Sequence, residues 1–145
     1  MARMPDLLND MLGLRVAALR AARPDFVRFT HGCYDAMVVP SDPHGLTASE
    51  RALVAHRSAE LAGHPALTAH YAALPTTPGP RDAAILRHAV LLAQNPGRAT
   101  KDDLAALTEA GLSANDIVTL SQIAAFVAYQ VRIAAGLALL ADNPA

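Results

Sequence analysis

Residues 113–141 read SANDIVTLSQIAAFVAYQVRIAAGLALLA, and this stretch decides the fold. Ser113-Ala114-Asn115-Asp116 opens a helix, with Asp116 set against the positive end of the helix dipole. Ile117, Leu120, Ala124, Val127, Val131, Ala134 and Ala138 then recur at three–four spacing as one apolar seam. Ile123, Phe126, Ile133, Leu137 and Leu140 cover another face. The pattern predicts one helix of roughly 40 Å at 1.5 Å per residue. A helix apolar nearly all round needs cover from its own domain or from other subunits, so a homo-oligomer is expected. Ile123–Ala141 also has the look of a membrane span, but Gln130 and Arg132 sit near its middle. A central arginine costs about 2.5–3.5 kcal/mol on insertion scales, so the expectation is a buried helix in a soluble protein, with no membrane partner.

Arg132 is the sole charge between Ile117 and Ala141. Buried, it would have to be paired, with Asp35 or Glu60 as partner in the same chain or across an interface. A clamp on an anionic substrate is the alternative role.

Outward from this helix, the rest of the chain agrees. Its 145 residues are one domain's worth, and we expect residues 1–145 to form a single domain. It holds 32 alanines and 20 leucines against 4% aromatics, a helix-former's composition that excludes an all-β fold. The net charge of −1 gives no electrostatic support for binding nucleic acid. One cysteine, Cys33, excludes an internal disulfide and a Cys-rich zinc site, and fits a reducing cytoplasm. Met1-Ala2-Arg3-Met4-Pro5-Asp6 has no apolar run of secretory length.

Prolines and glycines mark the connectors. Apolar positions from Asp6 through Ala22 predict one helix ending before Pro24, and a second spans Asp25–Val39. Thr47-Ala48-Ser49-Glu50 is a capping box that starts a third helix running to Gly63, and Pro65 opens a fourth over His64–Leu74. Arg81–Gln94 follows, closed by Asn95-Pro96-Gly97, then Lys101–Ala110, capped by Thr100 and stopped at Gly111.

Two stretches resemble a known family. Leu46-Thr47-x-x-Glu50-Arg51-x-Leu53-Val54-Ala55, continuing to Ala59-Glu60-Leu61-Ala62-Gly63, is similar to the opening of the alkylhydroperoxidase D / carboxymuconolactone decarboxylase superfamily. Arg81-Asp82-x-Ala84-Ile85-Leu86, through Asn95-Pro96 and Thr100-x-x-Asp103-Leu104-x-x-Leu107 to Arg132-Ile133-Ala134, resembles its peroxidase-related branch. The resemblance spans roughly residues 26–140 and implies an all-α bundle of about six to seven helices, assembled as a trimer or hexamer. The family's thiol enzymes carry Cys-x-x-Cys and a following His at the junction of the third and fourth helices, with a glutamate at the start of the third. A helix N-terminus activates one thiol and the second resolves it. In gapless register this chain has His64 and Leu67 at the cysteines, Tyr71 at the histidine and Ala52 at the glutamate. Shifted by one, His70 meets the family histidine while Gly63 and Ala66 meet the cysteines. Neither register keeps the dithiol. The family's asparagine on the last helix is also replaced, by Val131.

The expected function is therefore that of a peroxidase-related relative without the thiol redox site, with an interhelical pocket near His64, Leu67, Tyr71 and Arg132 that binds or converts a small organic acid, with no cofactor. Three alternatives stand beside it. Leu67-Thr68-Ala69-His70-Tyr71-Ala72-Ala73-Leu74 resembles the decarboxylase branch, which implies a cofactor-free lyase with His70 as general acid or base. The chain could instead be a non-catalytic structural or interaction protein. A single-thiol peroxidase would use Cys33, whose plainer reading is a small buried apolar residue. His56, Glu60 and His64 recur every four residues, but Gly63 and Pro65 interrupt the helix and the span of about 12 Å exceeds one ion's reach. Solvated polar residues explain them, and no metal is expected.

Overall fold

The computed structural model describes residues 6–143. They form eight α-helices and no strand: α1 (Leu7–Leu12), α2 (Leu14–Ala21), α3 (Pro24–Met37), α4 (Ala48–Ala62), α5 (Pro65–Ala72), α6 (Asp82–Gln94), α7 (Lys101–Glu109) and α8 (Ala114–Asp142). A single 3-10 turn, Pro96–Arg98, lies between α6 and α7. The all-α expectation holds.

The local signals act as the side chains dictate. Thr47 Oγ1 accepts the Glu50 amide at 3.1 Å while Glu50 accepts the Thr47 amide at 2.9 Å, which fixes where α4 begins. Thr100 with Asp103, and Ser113 with Asp116, build the same reciprocal cap on α7 and α8. Gly63, in the left-handed region at φ +71°, closes α4 as no branched residue would.

The first segment departs from expectation. In place of one helix over 6–22, α1 and α2 meet at Gly13, whose φ of +87° and extended ψ suit glycine alone. Arg20 then folds back from α2 to pair with Asp6, the cap of α1, in a buried ion pair, and also donates to Asn9 at 3.2 Å. The apolar stripe runs through the break, so the pattern concealed it.

The core gathers around α4 and α8. Val54, Ala55 and Ala59 of α4 meet Leu120, Ile123, Ala124, Phe126 and Val127 of α8, with Ile85 and Ala89 of α6 and Leu67 and Tyr71 of α5 closing the sides. α8 is buried only along its first two thirds: no residue after Ala134 is buried, and Leu139 and Leu140 stand 66% and 57% exposed. Its 29 residues are long and apolar enough to cross a membrane, with a mean hydropathy of 1.8 in a window of which 28% is buried. The expected buried helix is thus buried along one side.

Candidate functional site

α5 is a short helix wedged between α3, α4 and α8, and its side chains diverge. His64 precedes it and serves as its cap: Nδ1 accepts the Leu67 amide at 3.2 Å, which places the ring proton on Nε2. Leu67 is fully buried core. Tyr71 points inward to 1% exposure and donates its hydroxyl to the Gln130 side-chain carbonyl on α8. His70 turns instead toward α3, where Nε2 lies 2.8 Å from the Tyr34 hydroxyl.

Three rings therefore cluster. Tyr34 and Tyr71 stack at 6.3 Å between centroids, and His70 meets Tyr71 edge-on at 5.1 Å. Burial pushes the His70 imidazole below its ordinary value, so it is neutral at pH 7. Burial, followed by the negative charge of Asp35, pushes the Tyr34 phenol up. Tyr71 is held well above the usual phenol range by burial and then by Tyr34, against the opposing hydrogen bond to Gln130. Alongside, His31 Nε2 and Asp35 Oδ2 lie 3.2 Å apart on the same helix as Tyr34.

A neutral phenol and a neutral imidazole in contact share a proton that either can donate. If Tyr34 donates, Nδ1 of His70 carries the remaining proton and presents an acid. If Nε2 donates, Nδ1 presents a lone pair and acts as a base. Giving up the Nδ1 proton would leave Tyr34 as a phenolate, which its raised proton affinity opposes, so the pair is suited to take a proton at Nδ1, which has no hydrogen-bond partner among the described residues.

Arg132 corrects the sequence reading. It is exposed, and its Nη1 donates to the Ala128 carbonyl of its own helix at 3.1 Å. Its two candidate partners are engaged elsewhere, Asp35 with His31 and Glu60 with Arg57 at 2.5 Å. The face of α8 that carries Arg132 is simply not the one that carries Gln130. Arg132 lines a cavity of about 580 Å³ between α4, α6 and α8, whose walls include none of His64, His70 and Tyr71. The expected grouping of Arg132 with His64, Leu67 and Tyr71 is thus divided between two places.

Cys33 is exposed on α3, which corrects its reading as a buried apolar residue. His56, Glu60 and His64 do not converge: Glu60 is held by Arg57 and His64 faces α5, and no cluster of three metal-ligating side chains occurs among the described residues.

Two participants escaped the sequence reading. Gln130 had a signal, as the lone amide inside an apolar helix. Tyr34 had none, since only the fold brings it to His70.

A solved structure of similar architecture is the crystal structure of an alkylhydroperoxidase AhpD core, an uncharacterized peroxidase-related protein from Ralstonia eutropha JMP134. It aligns with a TM-score of 0.61 over 93% of this chain and 88% of that one, at 20% identity. This chain has the alkylhydroperoxidase D-like fold. No family profile matches the sequence, and no curated protein is significantly similar to it. At the α4–α5 junction, where the resemblance places a dithiol, this chain has the capping imidazole of His64 and the buried Leu67.

Proposed function

We propose that this protein is an alkylhydroperoxidase D-like relative without thiol redox chemistry, which moves a proton on a small organic acid through the Tyr34–His70 pair. The chemistry would be cofactor-free and of the lyase type, as in decarboxylation of a β-keto acid or a lactone acid. The observation that carries this reading is the 2.8 Å contact between the Tyr34 hydroxyl and His70 Nε2. His70 is half-buried and neutral, the state a general base requires. Cys33 has no second cysteine anywhere in the chain, so it cannot form an internal disulfide, and a reducing cytoplasm would keep it free.

The test is to incubate the protein with small β-keto acids and lactones in D2O and follow loss of the α-proton signal and decarboxylation by NMR. Turnover by the parent should fall about a hundredfold or more in His70→Gln and less steeply in Tyr34→Phe. Turnover that survives His70→Gln, or none by the parent protein, overturns the reading.

A second reading concerns assembly. Leu139, Leu140 and Val118 of α8 and Phe26 and Phe29 of α3 are all more than half exposed. That much uncovered apolar surface supports association of identical copies, as a trimer or hexamer. Light scattering should return a multiple of the 15.2 kDa chain, and Leu139→Glu with Leu140→Glu should lower it. A monomer at all concentrations removes this reading and leaves the Tyr34–His70 pair untouched.

A further inference from the structure

We propose that the cavity between α4, α6 and α8 is a separate binding site for a medium-chain aliphatic monocarboxylate bearing one further oxygen, a hydroxyl or a keto group. This goes beyond the Tyr34–His70 reading and does not rest on it, because none of the residues of that cluster lines the cavity.

The hollow exists because alanines occupy the positions that leucines would fill. Ala124, Ala125 and Ala128 of α8 face Ala62 of α4 and Ala93 of α6, leaving about 580 Å³. That lies within the roughly 300–1,000 Å³ typical of small-molecule sites. An open groove lined by methyl groups alone would offer nothing to orient a ligand. This one has two polar features.

The first is Arg132, whose guanidinium has used one N–H on the Ala128 carbonyl and has no carboxylate partner among the described residues. A planar fork with spare donors fits a carboxylate in two parallel hydrogen bonds. It is the sole cation of the cavity wall, so a phosphate dianion would be left short of both charge and donors. The second is Ser58, 5% exposed, whose hydroxyl is buried with no hydrogen-bond partner. Serines inside helices usually return their hydroxyl to the preceding turn, as Ser121 does on the opposite wall by donating to the Ile117 carbonyl at 2.8 Å. Ser58 does not; its hydroxyl oxygen is closed to solvent as it stands, and a rotation about χ1 is what would present it to a ligand oxygen. Between the two polar points the wall is aliphatic, with Leu61, Leu92 and Val131. A charged end, an aliphatic body and one oxygen on that body match this arrangement.

Titration calorimetry with octanoate, octanol and positional isomers of hydroxyoctanoate tests it on the whole protein. Octanoate should bind saturably, about tenfold or more weakly in Arg132→Gln, while octanol should not distinguish the two. At least one hydroxyoctanoate should bind better than octanoate, and Ser58→Ala should erase that gain. Ala128→Leu, which fills the hollow, should abolish all binding. Arg132 is exposed, so Arg132→Gln keeps the test readable should the interior variants fail to fold. Equal octanoate affinity in the parent and Arg132→Gln, or binding undiminished by Ala128→Leu, overturns the site. So does failure of octanoate to bind together with a change of assembly mass in Ala128→Leu, which would show that a second copy occupies the groove.

Discussion

Two polar clusters flank this bundle, and they are built on opposite principles. At the start of α4, Arg51 donates to three backbone carbonyls, those of Leu46, Met37 and Pro43, at 2.8, 2.7 and 2.7 Å. Beside it Glu50 caps its own helix and receives Arg81 at 2.6 Å, while Arg81 also reaches the Gly45 carbonyl. Every strong donor there meets a fixed acceptor, and together they tie the 38–47 connector to α4 and α6. Between α3 and α5 the paired groups, Tyr34 and His70, are neutral, and one ring nitrogen has no partner among the described residues. Charge fully consumed by backbone and counter-ion makes architecture; neutral groups with unused hydrogen-bonding capacity can do chemistry. The Leu46–Arg51 motif that carries the family resemblance belongs to the first kind.

The largest expected effect tests that division on its architectural side. Arg51→Met keeps the aliphatic bulk and leaves three carbonyls, two of them on the connector, without their donor. Unfolding in urea should show a loss of about 3 kcal/mol or more. If the loss is under about 1 kcal/mol, water replaces the guanidinium and the cluster is not what holds the connector.

Glu50→Gln should cost less, about 2 kcal/mol at pH 7, by removing the charge that Arg81 meets. Burial pushes the Glu50 carboxyl up, but hydrogen bonds from Arg81 and the Thr47 amide, with the charge of Arg81, outweigh it and hold the group below the ordinary carboxylate range. Folding therefore lowers its proton affinity, and the unfolded chain takes up the proton first as pH falls. The contribution is whole above the unfolded value of about 4.3 and is lost as pH drops through the folded one. The gap between parent and Glu50→Gln should accordingly begin to narrow below about pH 4.3 and close at lower pH. A gap independent of pH would assign the cost to packing.

What was legible in the sequence follows the same division by distance along the chain. The caps at Thr47, Thr100 and Ser113 act over three residues, so side-chain chemistry alone locates them. The Tyr34–His70 and Tyr71–Gln130 contacts join residues 36 and 59 apart, and no local pattern encodes them. Arg132 was misplaced for a related reason: an apolar helix shows that some face is covered, not which one. Gly13 was passed over because periodicity counts side chains, and its break is a backbone event.

On the other side of the comparison, Tyr71→Phe should cost about 1–2 kcal/mol, because the buried Gln130 carbonyl loses its donor. It should leave the His70 titration below the ordinary histidine value, since burial and not Tyr71 sets that shift. A His70 that moves to an ordinary value in Tyr71→Phe would show that the three rings act as one network and not as a structural pair beside a chemical one.

The smallest expected effect is the most pointed. Cys33 is exposed on α3, the helix that carries Tyr34, so proximity alone invites a redox role. An exposed thiol contributes little to packing, and Cys33→Ser should change stability by no more than about 0.5 kcal/mol. A thiol peroxidase must form a sulfenic acid and then have it reduced, which here needs an external thiol because the chain holds no other cysteine. With the chemistry at the neutral ring cluster, hydroperoxide consumption measured with dithiothreitol as that external thiol should be the same in the parent and in Cys33→Ser. Consumption that disappears with the sulfur would move the chemistry of this molecule from its neutral ring cluster to its surface, and the contrast between the two polar clusters would then say nothing about activity.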